Sequence, residues 1–313
     1  MQTRRIGSLD VSVVGIGCNN FGGRIDEAAT KAVVDAALDA GVTLFDTADI
    51  YGGSRSEEFL GRALGRRRDA AVIATKFGAP LDEDRKGAAP GYVRRAVEDS
   101  LRRLGTDRID LFQLHFPDAE TPIEETLGAL DELVRAGKVR EIGASNFSAE
   151  LIDESARASE ARGWARFASV QNEFSLLRRA SERNGVLDAC VRNGIGFLPY
   201  FPLASGMLTG KYRRAEDPPP GTRLAGMPAE RRDRALSDKN FDKVEALDAW
   251  ARDHGHSLLE LAVSWLLTRP AVASVIAGAT KPEQVRANVA AAAWEPSEAE
   301  LAEVDKVLEG VRS

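Results

Sequence analysis

The sequence predicts an α/β protein, a (β/α)8 TIM barrel with an N-terminal β-hairpin and extra helices, and three observations predict it. Short aliphatic runs alternate with amphipathic stretches on one period, about eight times over. No shift in composition marks a boundary, so residues 1–313 read as a single barrel domain. The rival doubly wound sheet needs Gly-x-Gly-x-x-Gly after its first strand. Here Gly15-Ile16-Gly17 is followed by Phe21-Gly22-Gly23, which misses that spacing.

The elements follow in order. Thr3 to Ile6 and Val11 to Val14 flank Gly7-Ser8-Leu9-Asp10, a hairpin with a four-residue turn. Val13 to Gly17 is a small-residue strand. Asp26 caps a helix from Glu27 to about Ala40, and Gly41 sits where a helix C′ residue belongs. The run Val42 to Phe45 is a buried strand ending in Asp46. Ser54-Arg55-Ser56-Glu57 has capping-box spacing and opens a helix to about Leu64. Ala71 to Thr75 is a strand ending in Lys76-Phe77-Gly78, followed by a polar loop and a helix near Gly91 to Leu104. Ile109 to Leu114 ends in His115-Phe116-Pro117. Pro122 fits the first turn of a helix that runs to Ala136. Val139 to Ala144 ends in Ser145-Asn146-Phe147, and Ser148 caps the next helix. Ala168 to Val170 ends in Gln171; a helix spans about Asn184 to Arg192; Ile195 to Leu198 ends in Pro199-Tyr200. Arg213 to Asp238, rich in Pro, Arg and Gly, breaks the rhythm as a long loop. Helices at about Lys243 to Asp253 and Leu258 to Leu267 precede the last strand, Ala273 to Ile276. Helices near Pro282 to Ala291 and Ser297 to Leu308 close the chain.

Composition excludes several functions. The net charge is −6, from 42 Lys+Arg against 48 Asp+Glu, which does not favour nucleic acid or an anionic membrane surface. No apolar run reaches the length of a membrane span, and the first residues carry no apolar signal segment. Cys18 and Cys190 are far apart and without metal-type spacing, so both read as reduced and structural, and the expected location is cytoplasmic. No metal site is expected.

In such a barrel the C-terminal strand ends converge on one face. Here they deliver Asp46, Lys76, His115, Ser145, Asn146, Gln171, Tyr200 and the run Gly278 to Lys281, with Tyr51 from the loop after Asp46. A bland reading makes Asp46 a turn cap and Tyr51 a packed ring. Three successive strands bringing a carboxylate, an ammonium and an imidazole to one mouth favour chemistry instead. A buried Asp46 holds Lys76 as an ammonium. Lys76 favours the tyrosinate and so lowers the pKa of Tyr51, which becomes a general acid toward a carbonyl oxygen. His115 orients that oxygen. A polarised carbonyl with a proton donor and no metal set implies a hydride from a bound cofactor. Ser145, Asn146 and Gln171 suit a carboxamide, and the Tyr200 ring suits stacking on a flat heterocycle.

These motifs resemble those of the aldo-keto reductase family over essentially the whole chain. Phe45-Asp46-Thr47-Ala48-Asp49-Ile50-Tyr51-Gly52 with Ser56-Glu57 resembles its first signature, Thr75-Lys76-Phe77-Gly78 its lysine strand, and Asp110 to His115 its histidine strand. Gly143 to Phe147 and Gln171-Asn172-Glu173 resemble its nicotinamide-cradling segments. Pro202 to Tyr212 resembles its pyrophosphate loop, and Ile276 to Gln284 its adenosine-side segment. The resemblance implies reduction of aldehydes or ketones, with Asp46, Tyr51, Lys76 and His115 as catalytic tetrad. It implies a reduced nicotinamide nucleotide, NADPH before NADH, held by Asp46, Ser145, Asn146, Gln171, Tyr200, Pro202, Leu203, Ser205, Gly206, Lys211, Ile276, Gly278, Thr280, Lys281, Gln284 and Asn288. Two positions depart from the family's habit. Gln284 stands where an arginine often meets the adenosine 2′-phosphate, which leaves Lys281 and Arg286 for that group. Phe201 stands where serine is common.

The substrate is a small carbonyl compound or alcohol, and Phe21, Tyr51, Phe77, His115, Phe116 and Phe147 are the expected pocket. Aromatic aldehydes, sugars and keto compounds all remain open. The loop 213–238 reads as a cofactor lid or an inert insertion. Two other classes also stand: a regulatory or redox-sensing nicotinamide-binding subunit, and a barrel isomerase or lyase acting without nicotinamide.

Overall fold

The computed structural model describes residues 1–311. It opens on an antiparallel hairpin, β1 (Thr3–Ile6) and β2 (Leu9–Ser12), in which Ile6 pairs with Leu9. The turn is therefore Gly7-Ser8, two residues rather than the expected four. Leu9 joins the strand because its side chain is buried.

The barrel strands are β3 (Val14–Gly17), β4 (Leu44–Asp46), β5 (Val72–Phe77), β6 (Ile109–Leu114), β7 (Val139–Ser145), β8 (Phe167–Glu173), β9 (Gly196–Tyr200) and β10 (Val275–Gly278). From β3 to β9 each pairs in parallel with the next, and β10 returns to pair with β3. The seam between β9 and β10 is bridged by the segment just before β10. There the Phe197 N–H donates to the Ala271 carbonyl at 2.7 Å, and the Ala273 N–H donates to the Phe197 carbonyl at 2.9 Å.

Around the barrel run α1 (Glu27–Asp39), α2 (Arg55–Leu64), α3 (Pro90–Leu104), α4 (Ile123–Arg135), α5 (Ala149–Arg162), α6 (Ala180–Arg183), α7 (Val186–Asn193), α8 (Ala229–Ala235), α9 (Asp238–Asp253), α10 (Leu258–Leu267), α11 (Pro282–Ala290) and α12 (Glu298–Gly310). Their starts are written locally. Asp26 and Ser148 cap α1 and α5 through their side chains, while Ser257-Glu260 and Ser297-Glu300 form full capping boxes on α10 and α12. No helix among the described residues is long and apolar enough to cross a membrane.

Four local expectations are corrected. Ser54 makes no capping bond, because Glu57 is turned inward to Thr75 and Arg103. Pro122 precedes α4 instead of lying in its first turn. The expected helix at 184–192 is α7, which starts at Val186 because Gly185 before it is left-handed; the short α6 precedes it. The long loop holds α8, and α9 starts at Asp238, ahead of the expected Lys243.

Alternation along the strands builds the site. Leu44, Ala74, Leu111, Leu198 and Ile276 point into the barrel and meet Ile6, Leu9 and Val11 of the hairpin. The hairpin is bonded to Thr43 just before β4, so it plugs the N-terminal end. Two residues further along each strand, the same face turns polar or small: Asp46, Lys76, Gln113, Tyr200 and Gly278. One period-two pattern thus makes an apolar floor and a chemical mouth.

Candidate active site

At the mouth the charged side chains connect. Lys76 is fully buried; its Nζ donates to Asp46 Oδ2 at 2.7 Å and to the Thr47 carbonyl at 2.9 Å. It also reaches the Tyr51 hydroxyl at 3.5 Å, a long contact. Burial pulls the Lys76 pKa down, but Asp46 and Tyr51 outweigh it and the net direction is up, so the ammonium is kept. Asp46 Oδ1 accepts from Gln171 Nε2 at 2.9 Å and from Gln113 Nε2 at 3.3 Å. The carboxylate is thereby satisfied on both oxygens, as a buried charge must be.

The expected lowering of the Tyr51 pKa is reversed. Burial raises it, and Asp46 adds to the rise; the attraction of Lys76 works the other way and is outweighed. Tyr51 is therefore a neutral phenol holding its proton. His115 sits edge-on to it, with ring centroids 5.9 Å apart. Burial and then Lys76 push the His115 pKa down to about 3, so the imidazole is uncharged. Its Nδ1 is buried without a hydrogen-bond partner among the described residues.

Beside this group lies a polar shelf. The Tyr200 hydroxyl donates to Asn146 Oδ1 at 2.8 Å, and Asn146 Nδ2 donates to the His115 carbonyl at 2.9 Å. Asn146 adopts a left-handed backbone, φ 63°, that aims its amide both ways. Ser145 Oγ donates to the Gln171 carbonyl at 2.8 Å.

The shelf opens into a cavity of about 750 Å³. Its far wall runs from Pro202, Leu203, Ser205 and Gly206 to Ile276, Gly278, Thr280, Lys281, Gln284 and Asn288. Ala204, Ser205 and Gly206 are three successive residues with positive φ. A side chain on Gly206 would meet Lys211 Nζ at 2.6 Å, so glycine lets the ammonium lie over the turn. Arg24, Lys211 and Arg223 also line the cavity. None of the three has a carboxylate within ion-pair distance among the described residues, and burial together with Arg24 lowers the pKa of both Lys211 and Arg223. Asn288 is buried with its Nδ2 unpartnered.

The model of the family described as "Aldo/keto reductase family" matches residues 13–309. The chain belongs to the aldo/keto reductase family. It is 34% identical over 318 residues to "Aldo-keto reductase YhdN" of Bacillus subtilis (strain 168), covering 97% of this chain and 92% of that one. It is 33% identical over 316 residues to "Aldo-keto reductase yakc [NADP(+)]" of Schizosaccharomyces pombe (strain 972 / ATCC 24843), covering 97% and 90%. It is also 34% identical over 299 residues to "Probable voltage-gated potassium channel subunit beta" of Arabidopsis thaliana, covering 93% and 91%. Family membership makes this chain an oxidoreductase that works with a nicotinamide nucleotide on a small molecule.

In this aldo/keto reductase every residue expected at the nucleotide lines the one cavity, together with Tyr51 and His115. The expected substrate pocket is corrected. Phe21, Phe77 and Phe147 are packed into the hydrophobic core and do not reach the cavity, because they alternate to the helix side or anchor loops. Phe116 does line it, 47% exposed and stacked on His115 at 4.7 Å. Arg286 is exposed and faces Glu283 instead of the cavity, which leaves Lys281 on the wall. Sequence reasoning missed Asn19, Asn20 and Arg24 in the loop after β3, Gln113 beneath Asp46, and Pro220 to Thr222. The inward period of β6 could have shown Gln113. Nothing local marks Arg24, whose place depends on Gly221 in the strap formed by the long loop 213–238, some two hundred residues away.

Proposed function

We propose that the protein reduces aldehydes or ketones to alcohols with NADPH, using Tyr51 as the proton donor. The observation that carries this reading is the bonded chain Asp46–Lys76–Tyr51 beside an uncharged His115, continuous with a cavity of unpaired cations. The bound nucleotide supplies the hydride. Arg24, Lys211 and Arg223, which have no carboxylate partner among the described residues, suit its phosphates. The turn at Ser205-Gly206 presents backbone to the same charge. Asn146 and Ser145 suit a carboxamide, with Tyr200 offering a ring face. Lys281, the cation on the far wall, suits a 2′-phosphate, and the NADP(+)-named relative adds support for NADPH over NADH.

The chain's own residues do the rest. Neutral Tyr51 donates its proton to the carbonyl oxygen as negative charge develops there. Lys76 stabilises the tyrosinate left behind, and Asp46 with its two glutamine donors keeps Lys76 charged and in place. His115, uncharged, donates a hydrogen bond that orients the oxygen and does not compete for the proton. Phe116 forms an apolar wall beside it.

Tyr51→Phe tests the reading: nucleotide binding by equilibrium dialysis is kept, while kcat falls roughly 10²–10⁴-fold. An unchanged kcat removes Tyr51 as the acid. A regulatory role as the partner of another protein is the second reading, favoured by the channel-subunit relative. A purified chain that binds nucleotide yet turns over no carbonyl of a broad panel would select it.

A further inference from the structure

The chain Asp46–Lys76–Tyr51 leaves one buried carboxylate unused. Asp49 lies on the same loop as Tyr51 and is 1% exposed. Its N–H donates to the Lys76 carbonyl at 3.1 Å, which ties its backbone to the strand carrying the ammonium. Oδ2 accepts from the Tyr92 hydroxyl at 3.3 Å, and Oδ1 has no partner among the described residues. Glu57, beside it, is equally buried but satisfied: it accepts from Thr75 Oγ1 at 2.6 Å and from Arg103 Nε at 2.6 Å.

The charged and titratable groups acting on the Asp49 carboxyl are thus Glu57 from α2 and Tyr92 and Arg103 from α3, while β5 meets its backbone through the Lys76 carbonyl. The Lys76 ammonium is committed to Asp46 and the Arg103 guanidinium to Glu57. Two carboxylates therefore share one cation, and a second anion here would be buried without compensation. Burial first, and then the charge of Glu57, push the Asp49 pKa up to about 7.

We propose that Asp49 is a positioning residue of the reaction, held as the neutral acid behind the Tyr51 segment, and that its ionisation sets the alkaline limit of carbonyl reduction. The proposal rests on the reading of Tyr51 as proton donor. As the neutral acid, Asp49 lets the segment from Thr47 to Gly53 stay seated between β5 and α3. When its proton leaves to water, the new anion is buried on the segment that carries Tyr51, with one oxygen unpartnered, and unseats that segment. It also competes with Glu57 for Arg103. Both effects slow reduction and neither touches the bound nucleotide directly.

The experiment measures kcat for reduction from about pH 5 to about pH 9 in the full chain, for wild type, Asp49→Asn and Tyr92→Phe, with Tm over the same range. Wild-type kcat falls roughly three- to tenfold through a limb near pH 7. Asp49→Asn cannot ionise and holds its plateau to higher pH. Tyr92→Phe removes a hydrogen bond that favours the charged form, so its limb moves to higher pH. The pKa is raised on folding. The stability it contributes is full below the ordinary carboxylate range and is lost as pH rises through about 7. Asp49→Asn therefore melts above wild type at alkaline pH and with it at acid pH.

An Asp49→Asn profile that superposes on wild type, or lies below it by one factor at every pH, overturns the proposal. Should Asp49→Asn not fold, the decision passes to Tyr92→Phe, and an unmoved limb overturns it equally. Failure of the underlying reading looks different: Tyr51→Phe keeps its rate, whereas the pH-dependent Tm of Asp49→Asn stands regardless.

Discussion

On the β4–β5 side of the cavity, Lys76 is buried and lies 2.7 Å from Asp46, whose second oxygen is bonded to Gln113 and Gln171. On the strap side, Arg24, Lys211 and Arg223 line the same cavity with no carboxylate in reach among the described residues. Arg24 donates instead to the Gly221 carbonyl at 2.7 Å, and Arg223 lies over the Phe201 ring at 4.7 Å. The first region has its charges balanced before any ligand arrives. The second has charges that only a ligand anion would balance. Machinery for proton transfer must be held in one geometry, so its partners are internal. A site for a dissociable anion must be left unfinished, or binding would first have to break an ion pair.

Substitutions that strike the two regions should therefore separate stability from affinity. The largest stability effect belongs to the balanced side. Lys76→Met strands Asp46 and its two glutamines in the interior, costing about 3–5 kcal/mol, read as a lowered denaturant midpoint, with kcat lost as well. A midpoint within about 0.5 kcal/mol of wild type would mean Asp46 is not held as a charge by Lys76.

Next in size is one cation of the open side. Arg223→Ala weakens NADPH about tenfold, close to one charge-assisted hydrogen bond, while the denaturant midpoint stays put. Equal loss of stability and affinity would erase the distinction between the regions. The smallest change is Arg24→Ala. It unlatches the strap from the loop after β3, so trypsin cuts between Arg213 and Arg223 a few-fold faster and the NADPH Kd moves less than about threefold. In wild type, nucleotide slows that cut; a rate indifferent to nucleotide would make the strap a plain surface insertion.

Much of the balanced side was legible along the chain, because strand periodicity is a local property. Asp46, Lys76, His115 and Tyr200 stand at strand ends in the order a parallel barrel uses them. What failed were readings that depend on distant partners. Ser54-Arg55-Ser56-Glu57 has the spacing of a cap, yet Glu57 is claimed by Arg103 of α3, and Ser56 hydrogen-bonds Thr47 and the Cys18 carbonyl. Phe77 precedes a glycine at a strand end, like a pocket residue, but its side chain alternates outward to stack on Phe112. The Tyr51 pKa moves against the sequence expectation because burial, which no local residue signals, outweighs the charge of Lys76.

The sequence by itself determined the eight-fold alternation, the strand-end residues and the resemblance those residues carry, since these follow from side-chain period and chain order. Tertiary structure alone decided which charges are compensated. It joined Asp46 to Gln171, Glu57 to Arg103 and Arg24 to Gly221. It left one oxygen of the buried Asp49 without a partner and three cations without a carboxylate among the described residues. The physical reason is that the energy of a buried charge depends on every group around it in space, and neighbours in space are set by barrel closure rather than by position along the chain.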